Sequence, residues 1–261
     1  MNKPLFLVGG SKGGVGKSMT ALTLVDYLRE RGEPVLLIET DTSNPDVWRM
    51  YARDEAGVIA ETVNLDEADG WIELANYCAA HADRVAVVNT AARNNLGVAA
   101  HGATLNEALP ELGRRLVTLW VINCDRDSLE LLEDYLRILP GSVTHVVCNT
   151  FFGAPDRFAL YVNVWSKAIM QRGGQSLYFP KVAARVSSDL YTQRWSIARA
   201  LRPTSPDAPP GAGWPIGHRA ELSRWRRVVA TMYDAVVPAE LPAASPPPVE
   251  EIAEGASERP A

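Results

Sequence analysis

The chain has 261 residues, of which 47% are apolar and 22% charged, and carries a formal net charge of −5. That length can bury a sizeable core, and the composition is that of an ordinary soluble protein. The acidic balance excludes a global nucleic-acid-binding signature, so any DNA contact needs a local basic patch. No stretch approaches an uninterrupted membrane span, and the start has only a brief apolar run, which does not read as a signal peptide. Cys78, Cys124 and Cys148 are far apart and outside metal-ligand spacing, so they read as reduced thiols of a cytoplasmic protein. His81, His101, His145 and His218 are equally scattered and receive no ligand role.

The first predicted strand, residues 5–8, runs into a loop containing Gly9, Gly10, Gly13, Gly14 and Gly16. Lys17 and Ser18 close that loop, and a helix follows with apolar Ala21, Leu22, Leu24, Val25 and Leu28 at helical spacing. Strand, glycine loop, Lys-Ser and helix make the mechanical plan of a phosphate cradle. Glycines let backbone N–H groups converge on an anion, and the positive end of the helix dipole points at the same spot. Lys17 would reach the outer phosphates and the Ser18 hydroxyl would hold Mg²⁺. The strict pattern, Gly-x4-Gly-Lys-Ser/Thr, fails at one position, where Ser11 replaces the first glycine. A second lysine, Lys12, stands at the loop entrance.

The Lys-Gly-Gly-Val-Gly-Lys-Ser run of residues 12–18 resembles the deviant Walker A motif of the ParA/MinD family of P-loop ATPases. The resemblance implies an α/β fold, a mostly parallel twisted sheet flanked by helices on both faces. It also implies ATP and Mg²⁺ as cofactors and an ATP-sandwich homodimer in which Lys12 reaches the partner's nucleotide. Carried over residue by residue, it assigns nucleotide contacts to Ser11, Gly13, Gly14, Val15, Gly16, Lys17, Ser18 and Met19. Lys12 and Lys17 are then the catalytic lysines.

A second buried strand, residues 34–40, has the continuous apolar run of a parallel strand covered on both faces and ends in Glu39-Thr40-Asp41. The family has Asp-x-Asp there, and its second Asp positions the attacking water. Asp41 matches that residue, while Glu39 replaces the first. Asn44 and Asp46 are candidate caps for a helix over 46–52. A short strand near 61–64 and an amphipathic helix over 71–81 follow. The next buried strand, 84–89, ends in Asn89-Thr90-Ala91-Ala92, where the family expects Asp-Thr-Pro. Asn89 keeps the shape and one acceptor oxygen of that Asp but loses its charge. It joins Ser18 and Asp41 as the candidate metal set, and it favours slow or partner-dependent hydrolysis. Arg93, Asn94 and Asn95 follow in what is expected to be a mobile loop, with no catalytic job assigned to them.

A short helix is expected over 104–109, ended or kinked by Pro110. A core strand over 116–123 comes next. Asp125, Asp127 and Ser128 are N-cap candidates for a helix over 129–139. The strand 143–149 ends at Asn149, where the family has the Asn that reads the adenine edge, a job its amide suits by both donating and accepting. A helix over 158–172, stopped by Gly173 and Gly174, precedes the last strand, 176–180. Pro180 and Lys181 hold the place of the family's adenine-wrapping segment.

Residues 203–217 read as a Pro/Gly loop and residues 218–237 as a helix. Residues 1–237 are thus assigned to a P-loop ATPase domain. Residues 238–261, with six prolines and five glutamates, are assigned to a disordered tail. The tail lacks the basic amphipathic anchor of the MinD branch, so no membrane partner is expected. Residues 181–227 hold nine lysines and arginines against three acidic residues. Arg194, Arg199, Arg202, Arg224, Arg226 and Arg227 could hold DNA phosphates without reading sequence, as ParA-type proteins do, or could form a solvated helix face. The implied role is a dimeric ATP switch in segregation, positioning or transfer of plasmid or chromosomal DNA, with an unidentified protein partner. The strand spacing and aromatic content also resemble TraL-type conjugation proteins, so a weakly hydrolysing adaptor of a transfer or secretion complex is the alternative.

Overall fold

A computed structural model describes residues 3–52, 57–92, 95–204, 213–237 and 241. The expected mobile loop at Arg93 and Asn94, most of the loop over 203–217 and the tail beyond 237 lie, apart from residue 241 and the loop's ends, outside the described residues. In chain order the elements are β1 (Leu5–Gly9), α1 (Lys17–Glu30), β2 (Val35–Glu39), α2 (Asp46–Tyr51), β3 (Val58–Thr62), α3 (Ala68–Ala80) and β4 (Val85–Asn89). Then come α4 (Asn95–Leu112), β5 (Leu116–Ile122), α5 (Leu132–Ile138), β6 (Val143–Asn149), α6 (Ala159–Val164), α7 (Ser166–Gln171) and β7 (Ser176–Phe179). The chain closes with α8 (Ala184–Gln193), α9 (Ile197–Leu201) and α10 (Ile216–Asp234).

The strands form a seven-stranded sheet in the order β3-β2-β4-β1-β5-β6-β7. Every pairing is parallel, so the expected mostly parallel sheet is parallel throughout the described strands. Side chains on a strand alternate faces, and β1, β2 and β4 are apolar on both until their last residue. Phe6 and Val8 of β1, Leu37 of β2 and Val87 of β4 pack with α1, α8, α9 and α10 in one core. Leu5, Leu7, Ile38 and Val88 pack with α3, α4, α5 and α7 in the other. The carboxyl ends of β1, β2, β4 and β6 are therefore left to carry the polar residues.

Three local readings change. The helix expected over 104–109 is the end of α4, which runs from Asn95 to Leu112 with Pro110 inside. Pro110 stands in the last turn, where it removes one helical hydrogen bond and leaves the preceding turns intact. The early turns of α4 lie tight on the loop between β3 and α3: a Cβ on Gly97 would stand 1.9 Å from the Leu65 carbonyl oxygen. The helix expected over 129–139 shortens to α5, preceded by a 3-10 turn over Arg126–Ser128. The helix expected over 158–172 divides at Trp165 into α6 and α7. Gly173, at φ 81°, ends α7 as expected.

Two buried charges bind the layers. Arg114 is 5% exposed. Its guanidinium donates to the carbonyls of Lys3 (2.7 Å), Arg84 (2.9 Å), Cys78 (2.9 Å) and His81 (2.6 Å), fastening the amino ends of β1 and β4 to the end of α3. Asp26 of α1 receives Arg226 of α10 in a two-pronged pair at 2.6 and 2.9 Å. Tyr233 of α10 adds a bond to the Thr20 carbonyl at 2.9 Å.

Arg114→Met strands several of those carbonyls in a dry space, and should cost about 3 kcal/mol in urea unfolding. Arg114→Lys should recover only part of the loss, because one ammonium cannot fork to four carbonyls. A melting curve for Arg114→Met that overlays the wild type would show the cage to be dispensable.

Candidate functional site

Gly16 precedes α1 at φ 108°, a left-handed conformation that suits glycine, and a Cβ there would stand 2.3 Å from Asn149 Nδ2. The loop is closed from within by Lys17. Its Nζ donates to the Lys12 carbonyl at 2.8 Å, and the side chain is buried. Burial pushes the Lys17 amine down to about 8, against the opposing pull of Asp41.

The loop entrance is fastened to the turn after β5. Lys12 Nζ pairs with Asp127 at 2.6 Å and Asp125 at 3.4 Å, and Asp127 holds its ammonium above the ordinary lysine range. Ser11 Oγ donates to the Asp127 carbonyl at 2.7 Å. Asp125 and Asp127 therefore do not cap α5 with their side chains: the 3-10 turn and α5 both start without a side-chain cap, and the two carboxylates face Lys12 instead. Asn44 and Asp46 likewise leave α2 uncapped; Asn44 Nδ2 donates to Asp46 at 2.8 Å.

Beside the loop lies a cleft of about 350 Å³ lined by Gly13, Gly14, Gly16, Lys17, Ser18, Met19, Asp41, Asn89 and Tyr191. It brings together residues from β1–α1, β2 and β4, as the sequence predicts. Asp41 accepts the Asn44 N–H at 3.0 Å, which fixes its carboxylate at the cleft wall. Behind the wall, Glu39 is fully buried, and both its oxygens accept from Asn89 Nδ2 at 3.0 Å. Burial pushes the Glu39 carboxyl up to about 7, while the Asn89 amide and the Asp41 N–H pull it back. Asn89 Nδ2 also reaches Ser18 Oγ at 3.3 Å. Asn89 Oδ1 is buried and has no hydrogen-bond partner among the described residues.

The described residues hold no cluster of three or more His, Cys, Asp or Glu fit for a metal on its own. Mg²⁺ does not need one, since it keeps several waters and binds through one or two protein oxygens plus phosphate. Ser18 Oγ, Asp41 and the unpartnered Asn89 oxygen fit that hard-cation donor set.

A second cleft of about 290 Å³ adjoins the first and shares Gly14, Gly16, Met19 and Tyr191 with it. Asn149, Phe151, Phe152, Phe179, Pro180 and Lys181 also line it. Asn149 Nδ2 donates to the Val15 carbonyl at 2.8 Å and its Oδ1 accepts the Phe151 N–H at 3.1 Å. Each amide atom keeps capacity for one further bond. Trp225 Nε1 holds the Pro180 carbonyl at 2.7 Å. Phe151, Phe152 and Tyr191 were not picked out by sequence. Tyr191 reads only as a helix residue, and nothing local says that α8 folds back over the loop.

The arginine patch is divided by the fold. Arg226 is engaged with Asp26 and Glu30, and Arg224 with Glu221 at 2.8 Å. Arg199 lies over the Trp195 ring at 4.8 Å. Arg194, Arg199, Arg202 and Arg227 are exposed. Among the described residues no helix is long and apolar enough to cross a membrane.

Comparison with known proteins agrees with this geometry. MinD from Aquifex aeolicus superposes with a TM-score of 0.50 over 87% of this chain and 97% of that chain, at 11% identity, a likeness of fold. A protein named MobD from Acidithiobacillus ferrooxidans is 52% identical over 238 residues, covering 91% of this chain and 99% of its own length. The model of the CobQ/CobB/MinD/ParA nucleotide binding domain matches residues 6–236. The chain belongs to that nucleotide-binding family.

Proposed function

We propose that the protein is an ATP-binding switch that takes ATP with Mg²⁺, dimerises through its glycine loop and hydrolyses ATP slowly. The observation that supports it best is the join of two clefts at the carboxyl edge of the sheet. One is polar, with the α1 N-terminus, Lys17 and Ser18; the other is aromatic and carries an amide at Asn149. A triphosphate suits the first and a nucleobase the second.

The Lys17–Lys12 bond suggests how binding is transmitted. Phosphate oxygens would draw Lys17 Nζ away from the Lys12 carbonyl. The residue released is the one whose side chain is held by Asp125 and Asp127. Lys12 then becomes available to a facing subunit, where it would offset charge on the transferring phosphoryl group. Asp41 would orient the water. Asn89 brings no charge of its own to the metal, which favours slow turnover and lends weight to the adaptor alternative.

The setting proposed is segregation, positioning or transfer of DNA, with Arg194, Arg199, Arg202 and Arg227 meeting phosphates without sequence readout. Gel filtration with ATP, ADP and no nucleotide, together with ATPase rates with and without DNA, tests the whole. A dimer with ATP whose turnover DNA stimulates supports the switch. A long-lived ATP dimer indifferent to DNA supports the adaptor, and a monomer in every state refutes both.

Two further outcomes are expected. ATP affinity without Mg²⁺ should be level below pH 8 and fall by about tenfold per pH unit above it, because the buried amine at about 8 must take up a proton to meet phosphate. A flat profile through the alkaline range would remove Lys17 from phosphate binding. Replacing both Asp125 and Asp127 by Asn should lower the ATP concentration for dimerisation by about threefold, the modest effect of an exposed ion pair. Unchanged or weakened dimerisation would show that the pair does not restrain Lys12.

A further inference from the structure

The register of the sheet sets Glu39 of β2 directly opposite Asn89 of β4. Side chains at paired positions point to the same face, so the two meet across the strands. Both Glu39 oxygens accept from the one Asn89 amide nitrogen at 3.0 Å, and Glu39 Oε1 also accepts the Asp41 N–H at 3.0 Å. Burial raises this group to about 7, and the bonds that both oxygens accept favour its ionised form. The Asn89 nitrogen is thus engaged on Glu39 and, at 3.3 Å, on Ser18 Oγ. With the nitrogen so held, the amide can turn only its oxygen elsewhere. That oxygen is the one left without a partner, in a side chain 1% exposed beside Ser18 and Asp41.

We propose that Glu39 is the positioning residue of the metal site: it fixes the Asn89 amide beside Ser18, and supplies from one layer behind the negative charge that Asn89 lacks. This inference rests on the ATP–Mg²⁺ reading above. The carboxylate and the amide act as one unit whose charge lies on β2 rather than on β4. Asn89→Asp alone is then no simple gain of charge, because it sets two carboxylates 3.0 Å apart in a buried place. The informative change is the exchange of the two groups, Glu39→Gln with Asn89→Asp.

The experiment compares binding of a fluorescent ATP analogue in EDTA and in Mg²⁺ for wild type, Glu39→Gln and the double exchange. Thermal unfolding of each nucleotide-free protein checks folding. Binding by Glu39→Gln in EDTA should match the wild type, because the loop is untouched. Its gain in affinity from Mg²⁺ should shrink by about tenfold or more, the usual effect of removing a group that orients a metal ligand. The double exchange should recover most of the gain. A merely structural Glu39 would move the unfolding temperature and leave the Mg²⁺ gain alone, and that result overturns the proposal. So does a double exchange that stays as weak as Glu39→Gln. If Glu39→Gln does not fold, Glu39→Asp, which keeps the charge but falls one methylene short of the amide, should lose part of the Mg²⁺ gain; full retention overturns the proposal. A wild type that binds ATP with no gain from Mg²⁺ overturns it while nucleotide binding stands. A wild type that binds no ATP at all overturns the nucleotide reading with it.

Discussion

Burial of the central strands on both faces is the constraint from which the architecture follows. β1 lies between β4 and β5 in the sheet, with Phe6 and Val8 in one core and Leu5 and Leu7 in the other. A strand so placed has no side on which to carry polar groups. In β1, β2 and β4 polar residues stand only where the strand stops, and in a parallel sheet the strands that neighbour one another stop at the same edge. The glycine loop, Glu39, Asp41, Asn89 and Asn149 come together there because apolar packing excludes them from the rest of each strand.

That edge holds buried charge of both signs, each with a specific neighbour. Burial lowers the hold of Lys17 on its proton, and its partner, the Lys12 carbonyl, is a neutral acceptor that a charged one can displace. Glu39 is buried with an amide as its partner rather than a cation. A carboxylate so satisfied can stand inside the sheet without being neutralised by a lysine or arginine. The departures at positions 39 and 89, each puzzling alone, form one hydrogen-bonded unit in the fold.

The helical layer over α1 has a related logic. α10 is strapped to α1 by Asp26–Arg226 and by Tyr233, and its Trp225 holds the segment that lines the aromatic cleft. The back wall of the nucleotide-sized clefts and the helix beneath the glycine loop thus share one support. An arginine that looks from sequence like a surface cation proves to be part of that support, and of the six arginines singled out from sequence this leaves Arg194, Arg199, Arg202 and Arg227 exposed, along with the paired Arg224.

Sequence alone determined the α/β class, the strand order along the chain and the phosphate loop, because each rests on local chemistry: apolar runs, glycine spacing and the Lys-Ser pair. It also determined which polar residues end the strands, and so most of the candidate site. It misjudged α4, since a proline in a last turn and a glycine under a neighbouring carbonyl look alike to a reading by residue type. Tertiary structure alone decided what each polar group faces. That Asp125 and Asp127 hold Lys12 rather than cap a helix, that Arg226 is engaged with Asp26, and that Glu39 grips the Asn89 amide are facts of register and helix placement. Partners 50 to 200 residues apart leave no local trace in the chain. Only the folding of the sheet and the closing of α10 over α1 bring them within hydrogen-bonding reach.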